Sequence, residues 1–208
     1  MASTSRAPES EVAQPALESA SVRSGAPLER RDARALLSGG SPREVLARLV
    51  AGDPLGLRAR VAAALGSEAL FLDPDRAYLR AAAHVARFAP RYRGQPELDA
   101  WLAARVLAAL RELAEEAREG ALHERATPAP LAELAHKLKL DPVALARACA
   151  ALNACERLER RAFRALVIEA RELDVAARDI GSTPSETGRA ARRAIEVALA
   201  ALERGGAA

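Results

Sequence analysis

Residues 156–202 read ERLERRAFRALVIEARELDVAARDIGSTPSETGRAARRAIEVALAAL, and three helical periods separated by short breaks follow one another along them. Over Glu156–Ala170 the apolar residues Leu158, Ala162, Phe163, Leu166, Val167 and Ala170 recur at three and four. This predicts a helix that buries one face and leaves Arg157, Arg160, Arg161 and Arg164 in water. A short helix over about Leu173–Ile180 comes next and stops at Gly181, the residue type best able to take the left-handed conformation past a helix end. Thr183-Pro184-Ser185-Glu186 marks the restart with a hydroxyl N-cap, a proline at the first helical position and a carboxylate that can cap reciprocally. A helix is therefore predicted from Pro184.

Two helices across a tight glycine turn, the second long and rich in arginine, have the sequence form of a helix-turn-helix. On the second helix Ala191, Ala194, Ile195, Ala198 and Leu202 form a packing face, while Arg189, Arg192, Arg193 and Glu196 lie opposite. Guanidinium groups are planar forks that pair with guanine edges and with phosphates, so this outer face suits a major groove. It suits an ordinary solvated surface as well, and spacing alone leaves both readings open.

Half of the 208 residues are hydrophobic, yet only 3% are aromatic, and alanine and leucine carry most of the apolar share. Few β-branched or aromatic residues and many helix formers predict an all-α protein of one or two small domains. The net charge of +3, nearly all of the positive charge being arginine, permits a nucleic-acid partner without requiring one. No stretch reads as a signal peptide or as a membrane span, so a cytoplasmic location is expected. Cys149 and Cys155 stand six apart, and His84, His123 and His136 are scattered. Neither set has metal-ligand spacing, so free buried thiols and no metal or cofactor are expected. There is no glycine-rich phosphate loop and no nucleophile with an obvious base; an enzyme is not expected.

Taken in order, residues 1–27 are rich in Ser, Ala, Pro and Glu without periodicity and read as a flexible tail. A helical domain over 28–119 follows, with a break at Gly39-Gly40 and restarts at Ser41-Pro42 and Asp73-Pro74. Its helices are expected to bury Val45, Leu46, Leu49 and Val50, then Leu57, Val61 and Leu65, then Tyr78, Leu79, Ala82 and Val85. A helix over Glu97–Arg118 carries the only tryptophan, Trp101, which its apolar neighbours mark as a core anchor. Before it, the loop Arg91-Tyr92-Arg93-Gly94-Gln95 has the basic and aromatic composition that holds single-stranded nucleic acid, and also that of a solvated turn. Residues 120–130, with two prolines, read as a linker to a terminal helix-turn-helix domain over 131–208. Within that domain Leu131–Leu138 and Pro142–Ala154 are expected as helices around a turn, the second serving the core.

The order of these parts resembles that of a bacterial sigma-70 family factor of the two-domain extracytoplasmic-function type, or a diverged sigma-like protein. Glu169–Ala194 matches the family's carboxy-terminal run without a gap: Glu169-Ala170, Val175-Ala176-Ala177, Ile180-Gly181 at the turn, and Arg192-Arg193-Ala194 at its end. Arg87-Phe88, Arg93-Gly94 and Ala100-Trp101-Leu102 are similar to the family's amino-terminal segment, from about residue 65 onward. The resemblance implies two helical domains, like sigma regions 2 and 4, on RNA polymerase core. Ser185, Glu186, Arg189, Arg192 and Arg193 would face the −35 promoter element, and Arg91, Tyr92 and Arg93 would lie where the family captures a flipped base. Asp73 and Asp75 occupy the neighbourhood of the family's acidic polymerase-binding motif, which is not intact here. Ala108 stands where the family has asparagine, and Glu115 and Glu116 stand where it has basic residues.

Together these readings give a sigma-like transcription initiation protein with promoter DNA and polymerase core as partners and an inhibitory anti-sigma-like protein as a further one. The alternatives are a sigma-like regulator that does not hold polymerase, and an all-helical interaction protein without DNA binding.

Overall fold

The computed structural model describes residues 35–119, 136, 139 and 142–203. The tail expected over 1–27 and the linker over 120–130 lie outside the described residues, as do most of the helix expected from Leu28 and most of Leu131–Leu138. The described residues are all-helical and include no strand. In chain order they form α1 (Pro42–Val50), α2 (Leu57–Glu68), α3 (Pro74–Phe88), a 3₁₀ turn (Ala89–Arg91) and α4 (Leu98–Arg118). Then follow α5 (Pro142–Ala154), α6 (Arg157–Phe163), a π turn (Arg164–Ile168), α7 (Leu173–Ile180) and α8 (Pro184–Glu203).

Caps set the starts. Ser41 and Glu44 close a reciprocal box on α1, with Glu44 accepting the Ser41 N–H at 2.8 Å. Asp53 accepts the N–H groups of Leu57 and Arg58 at 2.7 and 2.9 Å, so one carboxylate satisfies two of the orphan donors of α2. Asp73 accepts from the Arg76 N–H at 2.7 Å at the start of α3. Helices α1 to α4 pack around Leu49, Leu57, Val61, Tyr78, Val85, Leu102, Val106, Leu110 and Leu113, with Trp101 buried at the edge. Two expected core positions are instead in solvent: Leu79 is 54% exposed and Val50 40%. The buried stripe of α3 runs through Ala77, Tyr78, Ala81, Ala82 and Val85, and this turns Leu79 away from it.

A second core gathers Leu145, Cys149, Leu152, Phe163, Ala194 and Ala198 from α5, α6 and α8. Both cysteines are free and buried, and burial pushes the Cys149 thiol up to about 12. The single helix expected over Glu156–Ala170 is a short α-helix followed by the π turn. Leu166, Val167 and Ile168 are consecutive apolar residues that no narrow α-helical stripe can bury together. In the wider turn Val167 and Ile168 pack on the second core, and Leu166 joins Ala162, Ala190 and Ala191.

The second core is completed from outside. Phe71, between α2 and α3, is 1% exposed and sits edge-on to Phe163 with ring centroids 5.8 Å apart. Its backbone is held at both ends by the buried Asn153 side chain, whose Oδ1 accepts the Phe71 N–H at 2.7 Å and whose Nδ2 donates to the Phe71 carbonyl at 3.1 Å. Beside it the carbonyls at the end of α2 are met by guanidinium groups. Arg157 donates to Ser67, Arg160 to Glu68 and Arg164 to Leu65, at 3.3, 3.1 and 3.4 Å. The Ser67 and Glu68 carbonyls are acceptors that a helix C-terminus leaves unsatisfied, so Arg157 and Arg160 serve as its cap, while Leu65 already accepts the Leu70 N–H at 3.0 Å.

Candidate nucleic-acid interface

The outer face of α8 is built by its neighbours. Gly181 takes φ +78° and its N–H reaches the carbonyls of Ala177 and Arg178, which closes α7. Arg161 from α6 donates to the carbonyls of Asp179 and Ile180 at 3.0 and 3.1 Å and fastens that end of the turn. At the restart Thr183 Oγ1 accepts the Glu186 N–H at 3.2 Å while the Glu186 carboxylate accepts from Thr183 Oγ1, Thr183 N and Ser182 Oγ. These bonds, the Thr183 hydroxyl first among them, hold the Glu186 carboxyl below its ordinary range. Behind the face, Ala190, Ala191, Ala194 and Ala198 are buried, and so is Thr187.

Ser185, Glu186, Arg189, Arg192 and Arg193 are all exposed along one stretch of α8. Glu186 is engaged in capping, and Arg193 stands 3.8 Å from Glu159 of α6. Arg189 and Arg192 make no ion pair among the described residues. Arg189 and Arg193 also line a shallow cleft of about 160 Å³ with Glu156, Glu159 and Glu186.

A second group lies where α3 ends. Arg91, in the 3₁₀ turn, stacks on Phe88 with its guanidinium carbon 5.4 Å from the ring centroid. Tyr92 packs against Trp101 at 4.8 Å and donates its hydroxyl to the Pro96 carbonyl, while Arg93 donates to the Pro90 carbonyl at 3.1 Å. Arg87 of α3 and Arg105 of α4 also lie over Phe88, at 5.6 and 5.0 Å, and His84 packs on it at 4.7 Å. None of these three is assigned to a site by the sequence: Arg87 enters only through the family resemblance and His84 only as a scattered histidine, while the signal for Arg105 is a charge four residues after Trp101 on an otherwise apolar face. His84 is 6% exposed, with Nε2 3.3 Å from Glu112, and burial holds it below its ordinary value.

The third group is acidic. Asp73 caps α3, and Asp75, exposed, pairs with Arg58 at 2.7 Å. Among the described residues no hydrogen bond or ion pair joins any of these three groups to another. Glu116, at a position where the resembled family has a basic residue, is paired with Arg76 and Arg80, and Glu115 with Arg118. Among the described residues no three His, Cys, Asp or Glu side chains meet as a metal site would need. No helix there is long and apolar enough to cross a membrane. Compared with family models, curated proteins and solved structures, the chain finds no match in any of the three.

Proposed function

We propose that this chain is a sigma-like transcription protein that binds duplex promoter DNA through a helix-turn-helix made of α7 and α8. One observation carries the reading: Arg189 and Arg192 are exposed and make no ion pair among the described residues, on a long helix whose start is fixed by capping bonds. Arg189 only favours the Glu186 carboxylate at a distance. A free guanidinium on a rigid helix is already desolvated as little as a surface group can be, and it gives up no internal ion pair on meeting a guanine edge or a phosphate. The protein would position DNA and make no bond itself. In the fuller form of the reading it hands that DNA to RNA polymerase core in the cytoplasm, with an anti-sigma-like protein as its inhibitor.

A second form, the regulator that does not hold polymerase, is favoured by the acidic group. Asp73 is committed to capping α3 and Asp75 to Arg58, so neither stands free for a basic partner. Selection of bound duplexes from a random pool tests the common claim. A single enriched sequence, lost on Arg189→Ala/Arg192→Ala, is expected, together with a steep fall of affinity with salt. An unenriched pool, or enrichment that survives the double variant, would remove helix α8 as the reader. Co-sedimentation with core polymerase then separates the initiation factor from the regulator.

A further inference from the structure

From the cluster around Phe88 we infer a phosphate-binding site on the amino-terminal half, formed by Arg87, Arg91 and Arg105, that takes backbone or oligophosphate anions and does not read bases. It stands apart from the α8 reading, since other elements build it. Phe88 is half-buried at the end of α3, and the guanidinium carbons of Arg105, Arg91 and Arg87 lie 5.0, 5.4 and 5.6 Å from its ring centroid. Three like charges are thus gathered about one ring. None of the three makes an ion pair among the described residues. Arg105 Nε is buried and without an acceptor. Glu112, whose charge acts on His84 together with those of Arg105 and Arg87, is engaged by His84, which is itself nine-tenths buried and leaves Nδ1 without a partner.

Arginines gathered for stability are normally met by carboxylates or carbonyls, as Arg157, Arg160 and Arg164 are in this protein. Gathered without them, they repel one another until an anion arrives, and the ring orients the guanidinium planes meanwhile. Phosphate oxygens are the matching acceptors, because each guanidinium presents a flat fork of donors. The rings, by contrast, are occupied. Phe88 is covered by guanidinium groups and His84, and Tyr92 stacks on Trp101 with its hydroxyl given to Pro96. A base has no platform of its own here, so the ligand is recognised by its charge and spacing.

The test uses the full chain, with Trp101 fluorescence as readout because that ring touches Tyr92 beside Arg91. Titrants are a twelve-residue thymidine strand, an abasic strand of equal length, and inorganic tripolyphosphate. We expect the abasic strand to bind as tightly as thymidine. Arg87→Gln/Arg91→Gln, both exposed residues, should weaken both strands about tenfold or more and lower the salt slope by roughly 1.4, at about 0.7 for each phosphate contact on a single strand. Arg43→Gln, an exposed arginine of α1, should change neither. Tripolyphosphate that binds and is equally sensitive to the double variant assigns the site to compact oligophosphates; tripolyphosphate that does not compete assigns it to the strand backbone. Equal binding by wild type and the Gln variant, or a strand that binds only when it carries bases, would overturn the proposal. Thermal melting of Arg87→Gln/Arg91→Gln at the wild-type temperature guards against loss of fold, and Arg91→Gln alone repeats the test if it melts lower.

Discussion

Replacing Phe71 with alanine separates two accounts of this molecule. By chain position Phe71 belongs with α1–α4, but its side chain lies in the core of α5, α6 and α8. If that insertion makes the two cores one cooperative unit, the substitution should weaken both. Truncating a buried phenylalanine costs about 3–5 kcal/mol, the edge-on contact with Phe163 being part of that loss. At 2–4 °C per kcal/mol for a chain of this size, the melting temperature should fall on the order of 10 °C. Asn153→Ala attacks the same joint from the other side. It leaves the Phe71 N–H and carbonyl buried without partners, at about 1–3 kcal/mol for each group. Because the two changes share one contact, their combination should cost less than their sum. Urea unfolding is followed by Trp101 fluorescence, which reports only on the α1–α4 core, and by far-UV ellipticity, which reports on all helices. We expect the two transitions to coincide in wild type and to move together in Phe71→Ala. A Trp101 midpoint that stays in place while ellipticity shifts would refute the coupling and leave two cores that merely touch.

Two further outcomes follow from local geometry. Gly188 lies inside α8, where an added Cβ would come 3.9 Å from Leu173 Cδ1, an ordinary contact, so Gly188→Ala should raise stability by up to about 1 kcal/mol. Gly181→Ala should lower it by about the same amount, because φ there is +78°; thermal melting of both variants checks the pair, and equal signs would contradict it. Burial holds His84 below its ordinary 6.5, with Arg105 and Arg87 acting in the same direction and Glu112 against them. The unfolded chain therefore binds a proton near pH 6.5 that the folded chain takes up only at lower pH, so stability should fall as pH drops below 6.5 and level off below the folded value. His84→Gln should remove that component of the slope in urea titrations between pH 7.5 and 5, and an unchanged slope would assign it elsewhere.

The helix starts were legible because they are chemical and local. Ser41, Asp73 and Thr183 each stand before a proline, and all three cap the helices they announce. Leu166-Val167-Ile168 was harder, since periodicity assumes one pitch and the chain changes pitch so that all three, each partly buried, pack on a core. The joint at Phe71 left almost no trace. Its partner Asn153 is 82 positions away, and only the oddity of a lone amide in the apolar helix PVALARACAALNA hinted that something polar had to be met there.

The arginines show most clearly where reading a sequence stops. All of them enter a composition count alike, as charge in search of an anion. In the folded chain they divide by partner. Arg157, Arg160 and Arg161 reach helix-end carbonyls and act as caps. Arg58, Arg60 and Arg80 face carboxylates and add little beyond a solvated surface. Arg189 and Arg192 on α8, and Arg87, Arg91 and Arg105 about Phe88, have neither kind of partner among the described residues. A surface guanidinium gains by binding only what it does not already hold, so net charge is a poor guide to a nucleic-acid site and unspent charge a better one. Single arginines such as Arg43, Arg111 and Arg178 also lack such a partner among the described residues, but only about Phe88 do three unpaired guanidinium groups share one ring, and on α8 two stand one turn apart on a capped helix. If both places bind nucleic acid, they should respond to different substitutions and different strands.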